Sequence, residues 1–222
     1  MSKVGILCLA TLPGFLFGQT GKTPSFPGIS DDEWETRNPT YSIAVSMHLS
    51  ADSWLAQQES EIESETTEYG RLLRLGTLAE ASLCANHGDR AGKYAVEALK
   101  LAEKYSKPVV VVEDGIPVSN VGEVVFHSYL VLGRLALAQG DIETAKKDLL
   151  LAGKTGGTPS LGRSGPGMSL ARELLKASEQ ESVLQFLEEC RAFWKFDGGR
   201  LDLWSAQIRS GAIPDFGVNL FF

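Results

Sequence analysis

The chain has 222 residues, of which 43% are apolar and 22% charged, so it can build a core without disulfide or metal staples. Its net charge of −7 excludes a general nucleic-acid binder, which needs a basic face to displace counterions, and disfavours docking on anionic lipid. Three cysteines, at 8, 84 and 190, are too few and too scattered for a disulfide framework or a zinc site.

Residues 1–18 open with Lys3 and run on as VGILCLATLPGFLFG, the proportions of a secretory signal peptide. The run is short of the ~20 residues that span a bilayer comfortably. Its removal places the mature protein outside the cytoplasm, periplasmic or secreted. If it is retained, the run becomes a buried strand or helix of a cytoplasmic protein.

Residues 19–38 begin QTGKTPSFPGIS and read as a linker, with a short helical turn at 31–38 that Pro39 stops. Residues 39–222 read as a single helical domain. Within it, 41–49 is ambiguous by pattern and is assigned to helix by its neighbourhood. Ser50 is a candidate cap for a helix through Trp54. The acidic stretch ESEIESETTE lacks the glycine turn and ligand spacing of a calcium loop, and reads as a solvated face or acidic loop.

Residues 72–105 form the first helix pair, with a turn near Gly88-Asp89. Residues 126–152 repeat it 54 positions later. Leu75, Leu78 and Ala79 then fall on Tyr129, Leu132 and Gly133, and Ala91, Ala95 and Ala98 fall on Ala145, Leu149 and Ala152. Gly140 can take the positive φ that ends a helix, and Asp141 can cap the next. The surplus over a compact repeat lies at 106–125, where PVVVVEDGIPV reads as an extended flap or short strand. A third copy follows a further 38 positions on, with Leu170, Ala171, Val183, Leu187 and Cys190 in the matching slots. Its first helix is cut short by Pro166 and Gly167. Between copies two and three, residues 153–167 carry six glycines and two prolines and are expected to be irregular. A last helix holds Leu201, Trp204 and Ile208 on one face and ends at Gly211. The aromatic-rich end from Phe186 onward reads as a cap over the stack, with the tail IPDFGVNLFF packed back across it; an aromatic binding surface is the alternative.

These slots of small and large apolar residues resemble the tetratricopeptide repeat (TPR), a helix pair of about 34 residues. The resemblance implies an all-α fold of about three hairpins in a superhelix, plus a capping helix and a short extended insertion. The last hundred or so residues, through GPGMSLARELL (Gly165 to Leu175) and IPDFGVNL (Ile213 to Leu220), are also similar to bacterial TPR-like proteins with GPxMxLAxELL and IPDFGxNL signatures. Gly167 stands where asparagine is more usual in that family. The resemblance implies architecture and carries over no catalytic role.

No nucleophile elbow, dinucleotide loop or HExxH pair occurs. The two Gly-Lys-Thr triplets, at 21–23 and 153–155, have Leu16 and Asp148 where a phosphate loop needs its first glycine. His48, His87 and His127 stand apart from one another and from the cysteines, which favours capping or packing roles. No catalytic residue, metal ligand or cofactor is expected. The leading expectation is a non-enzymatic module that binds a protein or peptide. Arg71, Arg74, Ser128 and Arg134 would be exposed along a groove, and Arg163 would offer positive charge from the glycine-rich loop. The alternative is a small extracytoplasmic enzyme or ligand binder with a pocket near Arg163, Trp194 and Trp204.

Overall fold

Among the described residues, nine α-helices and two short strands follow one another in chain order. The computed structural model describes residues 51–105, 111–113, 116–118 and 120–220. Helices α1 (Ala51–Glu63), α2 (Glu68–Cys84) and α3 (Gly88–Ala102) come first, α3 running into a 3-10 turn at Glu103–Tyr105. Strands β1 (Val111–Glu113) and β2 (Ile116–Val118) follow, then α4 (Val121–Ala138) and α5 (Ile142–Gly153). The chain continues through α6 (Pro159–Ser164), α7 (Ser169–Lys176), α8 (Gln180–Cys190) and α9 (Arg200–Arg209) to a 3-10 turn at Gly217–Leu220. The fold is all-α apart from the small hairpin. The expectations for the signal run, the linker and the segments up to residue 50 lie outside the described residues.

Local chemistry sets the boundaries. Thr67 caps α2 by accepting a hydrogen bond from Gly70 N, and the Asp141 carboxylate caps α5 by accepting from Thr144 N at 3.0 Å. Gly140, at φ +80°, makes the tight reversal between α4 and α5. The equivalent bend between α2 and α3 has the same three-residue length and puts Asn86 at φ 60° in the place of Gly140, so the turn lies at 85–87 and Gly88-Asp89 already belong to α3. The insertion forms an antiparallel ladder that pairs Val111 with Val118 and Glu113 with Ile116.

One expectation needs correction. Residues 153–167 are not wholly irregular, because α6 forms inside them. Thr158 accepts from Leu161 N, Pro159 supplies a preset φ at the first helical position, and Gly165 at φ +85° stops the helix. Six glycines outweighed this capped start in the composition. The third pair ends where α8 stops at Cys190, and the turns beyond it place Phe193 and Trp194 in the core.

Packing follows the slots. Ala91, Ala95 and Ala98 on α3, Ala145, Leu149 and Ala152 on α5, and Val183, Leu187 and Cys190 on α8 all have no exposed surface. Helix α4 packs against α2, α3, α5 and α7, and so lies at the centre. It is the one described helix long and apolar enough to cross a membrane, but more than half of it is buried inside the fold, as befits a core helix.

Three apolar clusters result. One joins α1, α2 and α3 to the start of α4; a second joins α2 and α3 to the middle of α4; the largest runs from α4 to the C-terminal end. In that end Trp194 and Trp204 lie 5.6 Å apart, and the Trp204 and Phe216 rings meet edge-on at 5.0 Å.

Candidate functional site

The first helices of the three pairs, α2, α4 and α7, carry a repeated polar feature. A small residue, Ala79, Gly133 or Ala171, allows close packing at equivalent slots, and the next residue in each case is charged: Glu80, Arg134 or Arg172. All three are buried, with Glu80 at 5% and Arg134 at 1% exposure. Buried charges persist where partners compensate the lost hydration.

Two ion pairs bridge the first helices of successive helix pairs. Between α2 and α4, Glu80 Oε1 meets His127 Nδ1, while Glu123 Oε1 lies 4.0 Å from His127 Nε2. Burial alone would lower the His127 pKa. The charge and hydrogen bond of Glu80, helped by Glu123, override this and raise it. Between α4 and α7, Arg134 Nη2 donates to Glu173 Oε1 at 3.2 Å, with both side chains almost wholly buried.

Other ionisable groups lie on either side of this row. Burial pushes the Asp148 carboxyl on α5 up to about 7, against the opposing pull of Lys147. Its negative charge, together with burial, raises the Tyr129 phenol on α4. Between α5 and α8 is a shallow depression of about 320 Å³, floored by Leu150 and Leu151 and edged by Lys146, Lys147 and Lys154. Lys146 is held by Glu143 at 2.8 Å and Glu179 at 3.0 Å. Among the described residues, no group of three His, Cys, Asp or Glu side chains could hold a metal ion.

The residues expected to line a groove separate into two sets. Arg71 is partly exposed and reaches Glu97 on α3 at 2.7 Å, and Arg74 is exposed and pairs with Glu61 on α1. Arg163 is exposed on α6. Ser128 and Arg134, in contrast, are not groove residues. Ser128 is fully buried and donates to the Val124 carbonyl at 2.7 Å, and Arg134 is consumed by its pair with Glu173. The helical face that seemed free in one repeat is covered by neighbouring elements.

At the aromatic end the two tryptophans are buried. Trp194 is 1% exposed and Trp204 3%. The Arg200 guanidinium stacks 4.5 Å above the Trp194 ring. Asn219 fastens the tail: its Nδ2 donates to the carbonyls of Ser164 and Pro166, and its own carbonyl accepts from Met168 N at 2.6 Å. Phe216 and Leu220 of the tail are buried with the two tryptophans.

Sequence reasoning located Arg134 but missed its partner, and it read His127 as a capping or packing residue. The one available signal was the charged residue following each small slot. No protein-family profile, no curated protein and no solved structure matches the chain.

Proposed function

We propose that this chain is a TPR-like helical-repeat protein that works by binding a protein or peptide, as a scaffold and not as an enzyme. The observation that carries the reading is the agreement of three copies. The second-helix slots related by the 54- and 38-residue shifts are all fully buried, as expected when each hairpin covers its face only against its neighbours. The buried ionisable groups on α4 also favour it, since Arg134 and His127 are already engaged by carboxylates of adjacent helices. On this reading the exposed arginines Arg71, Arg74 and Arg163 are the positions through which an acidic partner would be held. No nucleic acid, cofactor or metal enters this reading. Cleavage after the apolar run at 1–18 would make the partner an extracytoplasmic one.

The test is affinity capture with the chain lacking residues 1–18, followed by mass spectrometry of what is retained. The same capture is repeated with Arg74→Glu combined with Arg163→Glu. Both sites are exposed, so the double variant should fold normally and lose the partner. Full retention by the double variant would remove these arginines from the binding surface. Capture by the unchanged chain of no protein or peptide at all would count against the scaffold reading itself.

A further inference from the structure

The contact between the first and second helix pairs is layered. At one level Gly76 on α2 faces Val124 on α4, where even an added methyl group would make only an ordinary contact, within the apolar cluster of Leu72, Leu75 and Leu78. Two turns further along α4, Val131 belongs to a separate apolar cluster with Ala79 and Leu83. Between these levels sits His127, and with it Glu80. These two residues form a polar layer within an otherwise apolar joint.

We propose that this layer is a pH-sensitive clasp, in which protonated His127 on α4 holds Glu80 on α2 and its deprotonation loosens the first helix pair from the rest of the stack. The geometry gives the clasp its direction. Glu80 is buried at 5% exposure, and its cationic neighbour among the described residues is His127. Once the imidazole is neutral, the carboxylate loses its counter-charge without regaining full hydration, which is destabilising. The imidazole is 23% exposed overall, but its Nδ1, which faces Glu80, is buried.

The other charged groups packed around α4 do not substitute for this pair. Glu123, on α4 itself, lies 4.0 Å from the second ring nitrogen and adds to the negative field. Asp148 on α5 and Glu103 after α3 act on Tyr129 instead, and Glu173 on α7 is taken by Arg134. The sign follows from linkage. Because the folded-state value of His127 is raised, its contribution is complete below the unfolded value of about 6.5 and is lost as pH rises through the folded value. This clasp does not depend on which partner, if any, the stack binds.

Hydrogen exchange of the full chain, corrected for the intrinsic pH dependence of amide exchange, tests the idea. As pH rises above about 6.5, amides of α2 and α4 should lose protection relative to those of α8, with opening favoured by at most about tenfold per pH unit until the folded value is passed. In Glu80→Gln the clasp has no fixed charge to hold, and this differential loss should vanish. An undiminished differential loss in Glu80→Gln would overturn the proposal. If that variant does not fold, the unaltered protein still decides. The imidazole of His127, followed by NMR, should titrate above the unfolded value of about 6.5, and a midpoint at or below that value sinks the clasp.

Discussion

The two joints that α4 makes with its neighbours use similar parts to different effect. Toward α2 the joint contains a carboxylate and a histidine; toward α7 it contains a carboxylate and an arginine. Both pairs sit beside a glycine on α4 or its partner helix, Gly76 in the first joint and Gly133 in the second. The fit around these glycines differs. A methyl group at Gly133 would stand 2.5 Å from Leu170 Cδ2 on α7, whereas at Gly76 it would meet Val124 at 3.4 Å, an ordinary contact. The second joint is therefore closely fitted and locked by a cation that never loses its charge. The first is more loosely fitted and held by a cation whose charge depends on pH. Repetition of a helix pair thus leaves the strength of each junction free to vary through one or two side chains.

The largest effect expected from breaking this contrast is in the second joint. Arg134→Met leaves Glu173 buried without its counter-charge, and urea unfolding should register a loss of about 3–5 kcal/mol. Adding Glu173→Met should restore much of that loss, because an apolar pair avoids the desolvation of two charges. A double variant no more stable than the single one would mean that the pair is not the principal interaction of either residue.

Asp148 tests whether the raised carboxyl beside that joint is a liability. Its folded value near 7 lies above the usual one, so the folded state holds the proton more tightly than the unfolded state. Stability should accordingly fall as pH rises from about 4 to about 7. Asp148→Asn should remove this slope and stabilise the protein by ~2 kcal/mol at pH 8 in thermal or urea unfolding. An unchanged slope would place the proton elsewhere.

The glycine pair gives the smaller effects, of opposite sign. Gly133→Ala should cost about 1–3 kcal/mol as Leu170 is forced aside. Gly76→Ala should be neutral or gain up to ~1 kcal/mol through better helix propensity. If the two substitutions have equal cost, the difference in fit between the joints disappears.

The second helices were the most legible part of the chain. Their slots hold small and aliphatic residues at helical spacing, and every one is buried where the shifts place it. The turn at Gly140-Asp141 was equally readable, because positive φ and a carboxylate cap are local chemistry. What escaped was non-local. Arg134 and Glu173 are 39 residues apart, and no single-helix pattern shows that two faces meet there. Ser128 and Arg134 were assigned to an open face for the same reason: a helical wheel distinguishes faces but not what covers them. Helix α6 was missed through composition, since its Thr-Pro start was outweighed by the surrounding glycines.

The apolar character of α4 has a consequence before the fold is complete. An unpaired helix of that length and composition is a substrate for hydrocarbon, whether a bilayer or another exposed chain. Arg134, near its C-terminal third, raises the cost of entering a bilayer by up to ~2.5–3.5 kcal/mol, a figure for the centre of a membrane helix. The charge that must be desolvated in the finished stack is thus also a guard on the nascent one, keeping its most greasy helix available for its own neighbours.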